Sequence, residues 1–204
     1  MKPETGNLKF SYALLAPFYD LAVERALAGA RRRSIARLPP HGGLDVFING
    51  VGTGLDLPLL PPGHRYCGLD LTRAMLDKAQ PRRAALDLNL VQGDSQRLPF
   101  RDGSFDIALL HLILAIVPDP VAALRETMRV LKPGGRVLVL DKFLRAGQCA
   151  PLRRALSPFA ARIATRLDVV FEEVLAAVAG LKLVSDEPAL ARGWFRSIEL
   201  IKTI

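Results

Sequence analysis

Residues 47–58 read FINGVGTGLDLP, an apolar run that breaks into three alternating glycines. The run LDVFIN (44–49) has the length and composition of a buried strand closed by glycine. A strand that empties into Gly50-Val51-Gly52-Thr53-Gly54 has a physical meaning, because glycine tolerates positive φ and lets a ligand approach the backbone. A tight turn can demand the same triad. The strands around the loop decide which reading applies.

RYCGLD (65–70) is a second apolar run, followed by LTRAMLDKAQPRRAAL, in which Thr72 is placed to cap a helix. LNLVQGD (88–94) reads as a third strand, and FDIALLHL (105–112) as a fourth, too apolar on both faces to lie at a sheet edge. Asp119 and Pro120 form an N-cap and first-turn proline ahead of VAALRETMRVL, whose Val121, Leu124, Met128 and Leu131 recur at helical spacing. Lys132-Pro133-Gly134-Gly135 ends that helix, and RVLVLDKF (136–143) is a fifth strand. LKLVSDEP and WFRSIELIKTI form a terminal hairpin. Strands alternating with helices predict an α/β fold: a seven-stranded, mostly parallel sheet with helices on both faces and a terminal antiparallel hairpin. Residues 10–38 read as one helical segment, broken or kinked near Pro17. No repeat or low-complexity linker interrupts the chain, so a single domain over 1–204 is expected, with an N-terminal helical extension (1–40) on a core of 41–204.

Open α/β sheets bind ligands at the carboxyl ends of their strands. Asp70 ends the second strand, where a carboxylate can accept both hydroxyls of a ribose, and Asp94 ends the third, where one can meet an adenine amino group. The glycine spacing matches neither GxGxxG nor GxxxxGK[ST], which grip phosphates. A nucleoside without a pyrophosphate is the expected ligand. Taken singly, Asp70 also reads as a helix cap, Gly93-Asp94 as an ordinary turn and His111 as a hydrogen-bonded structural histidine at a strand end.

From about Leu44 to Phe143 the chain resembles the class I S-adenosylmethionine-dependent methyltransferases, which share a Rossmann-like sheet. GVGTG, GLDLTRAMLDKAQ, GDSQRLPFRDGSFD and RVLKPGGRVLVLD carry the resemblance. Within that family the chain is similar to the branch of quinone C-methyltransferases and bacterial phosphatidylethanolamine N-methyltransferases. GVGTGLDLPLLP and YALLAPFYD resemble the phospholipid enzymes in particular. The resemblance implies S-adenosyl-L-methionine as cofactor, with Gly50, Gly52 and Gly54 beneath its methionine and ribose. Asp70 would hold the ribose hydroxyls, Leu71 and Met75 would flank the adenine, and Asp94 and Ser95 would contact its edge. His111 would lie near the reacting centre, and Tyr19, with Tyr12 nearby, would fold over the cofactor as a lid; both His111 and Tyr19 are candidate catalytic residues.

One position departs from the family pattern. Members often carry an acid two residues before the first glycine, helping to hold the cofactor's ammonium, and Ile48 stands there. Asn49 is adjacent, but alternation along a strand points it to the opposite face. Losing one charge-assisted contact costs about 1.5–3 kcal/mol, which weakens a site without abolishing it. A working enzyme is therefore expected rather than a protein that only retains the cofactor, and Ile48→Glu is expected to preserve or strengthen binding.

The acceptor is narrowed by composition. The chain has 204 residues, half of them hydrophobic, and a net charge of +8. No apolar run approaches the roughly 20 residues that span a bilayer. The N-terminus lacks the order of a signal peptide, and Cys67 and Cys149 form no CxxC or Cys/His cluster, so a reducing cytoplasm and no metal are expected. The positive charge suits nucleic acid or an anionic membrane. Nucleic acid is disfavoured: LLHLILAIVPDP lacks the Asn/Asp-Pro-Pro-aromatic motif of amino-directed DNA methyltransferases, no Pro-Cys nucleophile follows the fourth strand, and aromatic residues make up 6%. Residues 10–38 and 150–167 instead mix apolar residues with arginines, including Arg31, Arg32 and Arg33, as interfacial helices do. The expected acceptor is a phospholipid amine or another lipophilic small molecule such as a quinone precursor, met peripherally at the inner membrane face, with Arg31–Arg33 toward lipid headgroups.

Overall fold

A computed structural model describes residues 27–83, 85–145, 147 and 168–203. Tyr12, Pro17, Tyr19, Cys149 and the segment 150–167 lie outside the described residues. Residues 27–35 are helical (α1). They are followed by β1 (Asp45–Asn49), β2 (Arg65–Asp70), α2 (Arg73–Ala79), β3 (Asp87–Gln92), β4 (Phe105–His111) and α3 (Pro120–Val130). Then come β5 (Leu131–Lys142), α4 (Phe171–Ala176), β6 (Leu181–Leu190) and β7 (Phe195–Lys202). The strands form one seven-stranded sheet in the order β3-β2-β1-β4-β5-β7-β6. β1 to β5 pair in parallel, while β7 runs antiparallel to both β5 and β6. The expected parallel sheet with an antiparallel hairpin is what forms, and β7 enters between β5 and β6.

Alternation along β1 shows how the sheet is covered. Phe47 joins Leu110, Leu124, Val139 and Phe171 in the core under α3 and α4. Val46 and Ile48 join Ile35, Leu57, Leu76, Leu109 and Leu138 under the opposite layer. Both faces are apolar, so β4 is buried almost throughout, as its composition predicts for an interior strand. Asp119 caps α3, its side chain accepting the Ala122 amide at 2.9 Å, with Pro120 in the first turn.

Four local readings are corrected. β3 stops at Gln92, so Asp94 lies in the following loop, where it forms an isolated bridge with Arg97. Thr72 occupies the cap position of α2 but its side chain makes no capping bond, because its hydroxyl turns to Asp70 instead. Lys132–Gly135 does not separate helix from strand: Leu131 already pairs with Phe105, and a register shift before Ile107 absorbs the turn residues within β5. Lys132 Nζ anchors that irregularity on Asp106 at 2.8 Å. The helix expected through residue 38 ends at 35 and gives way to turns.

Candidate functional site

The sheet order reverses between β1 and β4, which makes their carboxyl ends a topological switch point. The glycine loop leaves β1 there. Gly50 and Val51 donate their amides to Leu69 O at 2.9 and 2.8 Å, tying the loop to the end of β2. Gly50 has φ 77°, and a Cβ on it would stand 2.7 Å from Ile113. Gly52, at φ 56°, has nothing among the described residues within 4 Å of where a Cβ would be. One glycine is therefore required by packing and the next leaves an open cradle above a left-handed backbone.

Asp70 braces this cradle. Its Oδ2 accepts the Gly52 amide at 3.0 Å, and its Oδ1 accepts the Thr72 amide at 2.9 Å and the Thr72 hydroxyl at 3.3 Å. Burial pushes its carboxyl above the ordinary value of 3.8, partly offset by those donors. Leu71 is half-buried beside it, and Met75 is buried on α2. Across the edge, Asp94 accepts the Gln96 amide at 2.9 Å and its side-chain amide at 3.1 Å, organising its own turn. Ser95 is buried and donates its hydroxyl to Asn49 Oδ1 at 2.5 Å. Asn49 in turn donates to Thr127 Oγ1 at 3.1 Å. The asparagine beside Ile48 thus points to the α3 face, as alternation requires, where it ties the Asp94–Ser95 loop to α3.

His111 ends β4 and is the centre of a network not evident in the sequence. Its Nδ1 lies 3.0 Å from Asp56 Oδ2, and its Nε2 lies 2.9 Å from Ser34 Oγ. Arg31 Nη1 donates to Asp56 Oδ1 at 2.7 Å. Ser34, Asp56, Arg31 and His111 are all buried. A carboxylate only accepts, so Nδ1 donates to Asp56, while Nε2 shares the second hydrogen bond with the Ser34 hydroxyl. Burial alone would raise the Asp56 carboxyl, but His111 and Arg31 outweigh it and hold it well below the usual carboxylate range. Asp56 is therefore an anion at neutral pH. Its one sequence signal is an acid inside the apolar stretch LDLPLL. Arg31 gave none, because it reads as part of the Arg31–Arg33 run. Only Arg32 and Arg33 are exposed, so the expectation that Arg31 faces lipid headgroups is corrected.

The residues singled out by sequence are thus laid along one edge of the sheet in strand order: Asp94 after β3, Asp70 at β2, the glycines after β1, and His111 at β4. Cys67 sits apart within β2, where burial pushes its thiol up to about 11. Among the described residues, no cluster of His, Cys, Asp and Glu is arranged to hold a metal ion.

The model of the methyltransferase domain family matches residues 44–139. The chain is 31% identical over 182 residues to a phosphatidylethanolamine N-methyltransferase of Cereibacter sphaeroides, covering 87% of this chain and 89% of that protein. It is 34% identical over 134 residues to a demethylmenaquinone methyltransferase of Renibacterium salmoninarum, covering 62% of this chain and 55% of the relative, about half its length. Among solved structures, a SAM-dependent methyltransferase from Thermotoga maritima superposes with a TM-score of 0.70 at 22% identity, over 96% of this chain and 99% of that one. Its likeness is one of fold. The glycine cradle and Asp70 lie within the family-matched region, and the full-length relative extends the match beyond it: the chain belongs to the class I S-adenosylmethionine-dependent methyltransferases.

Proposed function

We propose that this methyltransferase acts on a phospholipid amine, with phosphatidylethanolamine as the acceptor. The observation that carries this reading is the extent of similarity. The phosphatidylethanolamine N-methyltransferase matches over 182 residues, whereas the demethylmenaquinone enzyme matches over 134. The shared core binds the common cofactor, so similarity beyond it bears on the acceptor. A quinone precursor is the second reading, favoured by identity that rises to 45% over a 75-residue stretch shared with a demethylmenaquinone methyltransferase of Staphylococcus epidermidis.

The cofactor contributes a methyl group on a positively charged sulfur, an activated leaving group that needs little covalent help. In this reading Gly50, Gly52 and Gly54 pass beneath its methionine and ribose, and Asp70 takes the ribose hydroxyls as the long 3.3 Å bond from the Thr72 hydroxyl gives way. Leu71 and Met75 flank the adenine, with Asp94 and Ser95 at its edge. His111 stands at the reacting end. Both its ring nitrogens are engaged, so it serves as a base for the acceptor amine only if Ser34 releases Nε2. The chain's main contribution is alignment in a dry pocket, worth up to about 7–11 kcal/mol in well-oriented reactions. Residues 1–204 act as one unit, and the described part of the extension, α1, meets the ligand edge through Arg31 and Ser34. Exposed Arg32 and Arg33 bring that extension to an anionic membrane surface. No described helix is long and apolar enough to cross a membrane.

Mass spectrometry of lipids from cells expressing the chain tests the acceptor. A new N-methylated ethanolamine headgroup, absent with Asp70→Ala, supports the phospholipid reading. A methylated quinone with unchanged headgroups overturns it in favour of the second.

A further inference from the structure

The Arg31–Asp56 pair presents one acid and one base, each with hydrogen-bonding capacity to spare. A carboxylate has roughly four acceptor sites, and Asp56 receives one bond on each oxygen, from Arg31 and from His111. Arg31 is 7% exposed, yet its Nε has no hydrogen-bond partner among the described residues. A buried donor without an acceptor is a standing penalty in the structure. The pair stands at the β1/β4 switch point, joining the loop that follows the glycines to the end of β4.

We infer that this pair receives the amino-acid end of S-adenosylmethionine, Asp56 taking its ammonium and Arg31 its carboxylate. The inference rests on the cofactor reading of the site. It follows from strand order along the ligand edge. If Asp94 and Asp70 face the adenine and ribose at β3 and β2, the remaining part of the ligand extends past the glycine loop toward β1 and β4. That is where Arg31, Asp56 and His111 converge. An α-amino acid is a zwitterion, and the neutral Arg31–Asp56 pair matches it charge for charge.

The pair also accounts for Ile48. Ile48 shares its apolar cluster with Ile107 and Leu109, whose alternation along β4 puts His111, the partner of Asp56, on the same face. Position 48 and Asp56 therefore serve the same side of the sheet, and the acid absent from the strand is supplied from the far end of the loop. Asn49 is not the substitute, because its amide is committed to Ser95 and Thr127 on the opposite face.

Calorimetry on the full chain tests this with two probes: S-adenosylhomocysteine and 5′-methylthioadenosine, which keeps the nucleoside but lacks the amino acid. Asp56→Asn is expected to weaken S-adenosylhomocysteine about 10- to 100-fold, the range of one charge-assisted contact. Methylthioadenosine should bind as before, and Ile48→Glu added to Asp56→Asn should recover part of the loss. Equal weakening of both probes, or of neither, overturns the inference and leaves the pair as a tether between α1 and the loop. Should Asp56→Asn fail to fold, the unaltered protein decides with S-adenosylhomocysteine lacking its amino group. Equal affinity for that analogue and the parent overturns the inference, and a 10-fold or greater preference for the parent upholds it. Failure of every probe to bind overturns the cofactor reading itself, and this inference with it.

Discussion

Two arginines are buried to similar depth in this molecule, Arg31 at 7% exposure and Arg196 at 2%. Each pairs with a carboxylate, and each keeps one buried donor without a partner among the described residues, Nε of Arg31 and Nη1 of Arg196. Their surroundings differ. Arg196 faces two acids: it binds Asp186 through Nε at 3.0 Å and through Nη2, and Glu172 through Nη2 at 2.8 Å. Its guanidinium also lies 5.6 Å from the Phe171 ring centroid. It ties α4 to the terminal hairpin, and an arriving anion would meet excess negative charge there. Arg31 faces one acid, beside the glycine cradle. A buried donor without a partner is thus no mark of a site by itself. Charge balance and position on the sheet decide what it can receive.

The largest expected effect breaks the hairpin side of this comparison. Arg196→Ala should cost about 3 kcal/mol or more of stability, because it leaves Asp186 and Glu172 without their cation. Chemical denaturation measures it, and the folded fraction should bind S-adenosylhomocysteine as before. A loss of affinity with unchanged stability would erase the distinction between the two arginines.

Asp70→Ala tests the ligand edge. It should weaken S-adenosylhomocysteine by about 3 kcal/mol, two orders of magnitude in affinity, as two charge-assisted hydrogen bonds to the ribose are lost. Unchanged calorimetric affinity would remove the ribose assignment. Ile48→Glu sharpens the same edge. The family pattern predicts preserved or stronger binding, but the apolar cluster around position 48 adds a stability penalty of about 2 kcal/mol for a buried carboxylate. A melting temperature equal to the parent's would show that the new acid finds a partner.

The smallest effect concerns the outward face of α1. Replacing Arg32 and Arg33 with alanine should weaken binding to anionic vesicles at low salt by up to about 2 kcal/mol, roughly 1 kcal/mol per cation. Arg31 is left out because it is buried. Vesicle sedimentation that shows no binding by the unaltered protein would end the membrane reading without touching the site.

Local chemistry made much of this protein legible in its sequence. RYCGLD specified β2 to the residue, Asp119-Pro120 specified the start of α3, and GVGTG with Asp70 marked the ligand edge. These features depend on neighbours a few positions apart: apolar alternation, a capping side chain, a backbone that only glycine tolerates. Where Lys132–Gly135 went, and why Asn49 stands beside Ile48, depended on contacts with β4 and with the Ser95 loop. The Ser34–His111–Asp56–Arg31 network lay furthest from view, since its members come from α1, the loop after β1 and the end of β4. A basic run on a helix carries no sign of which arginine turns inward. Only packing α1 across the switch point buries Arg31 and leaves Arg32 and Arg33 in water, because one face of a helix alone can meet the sheet.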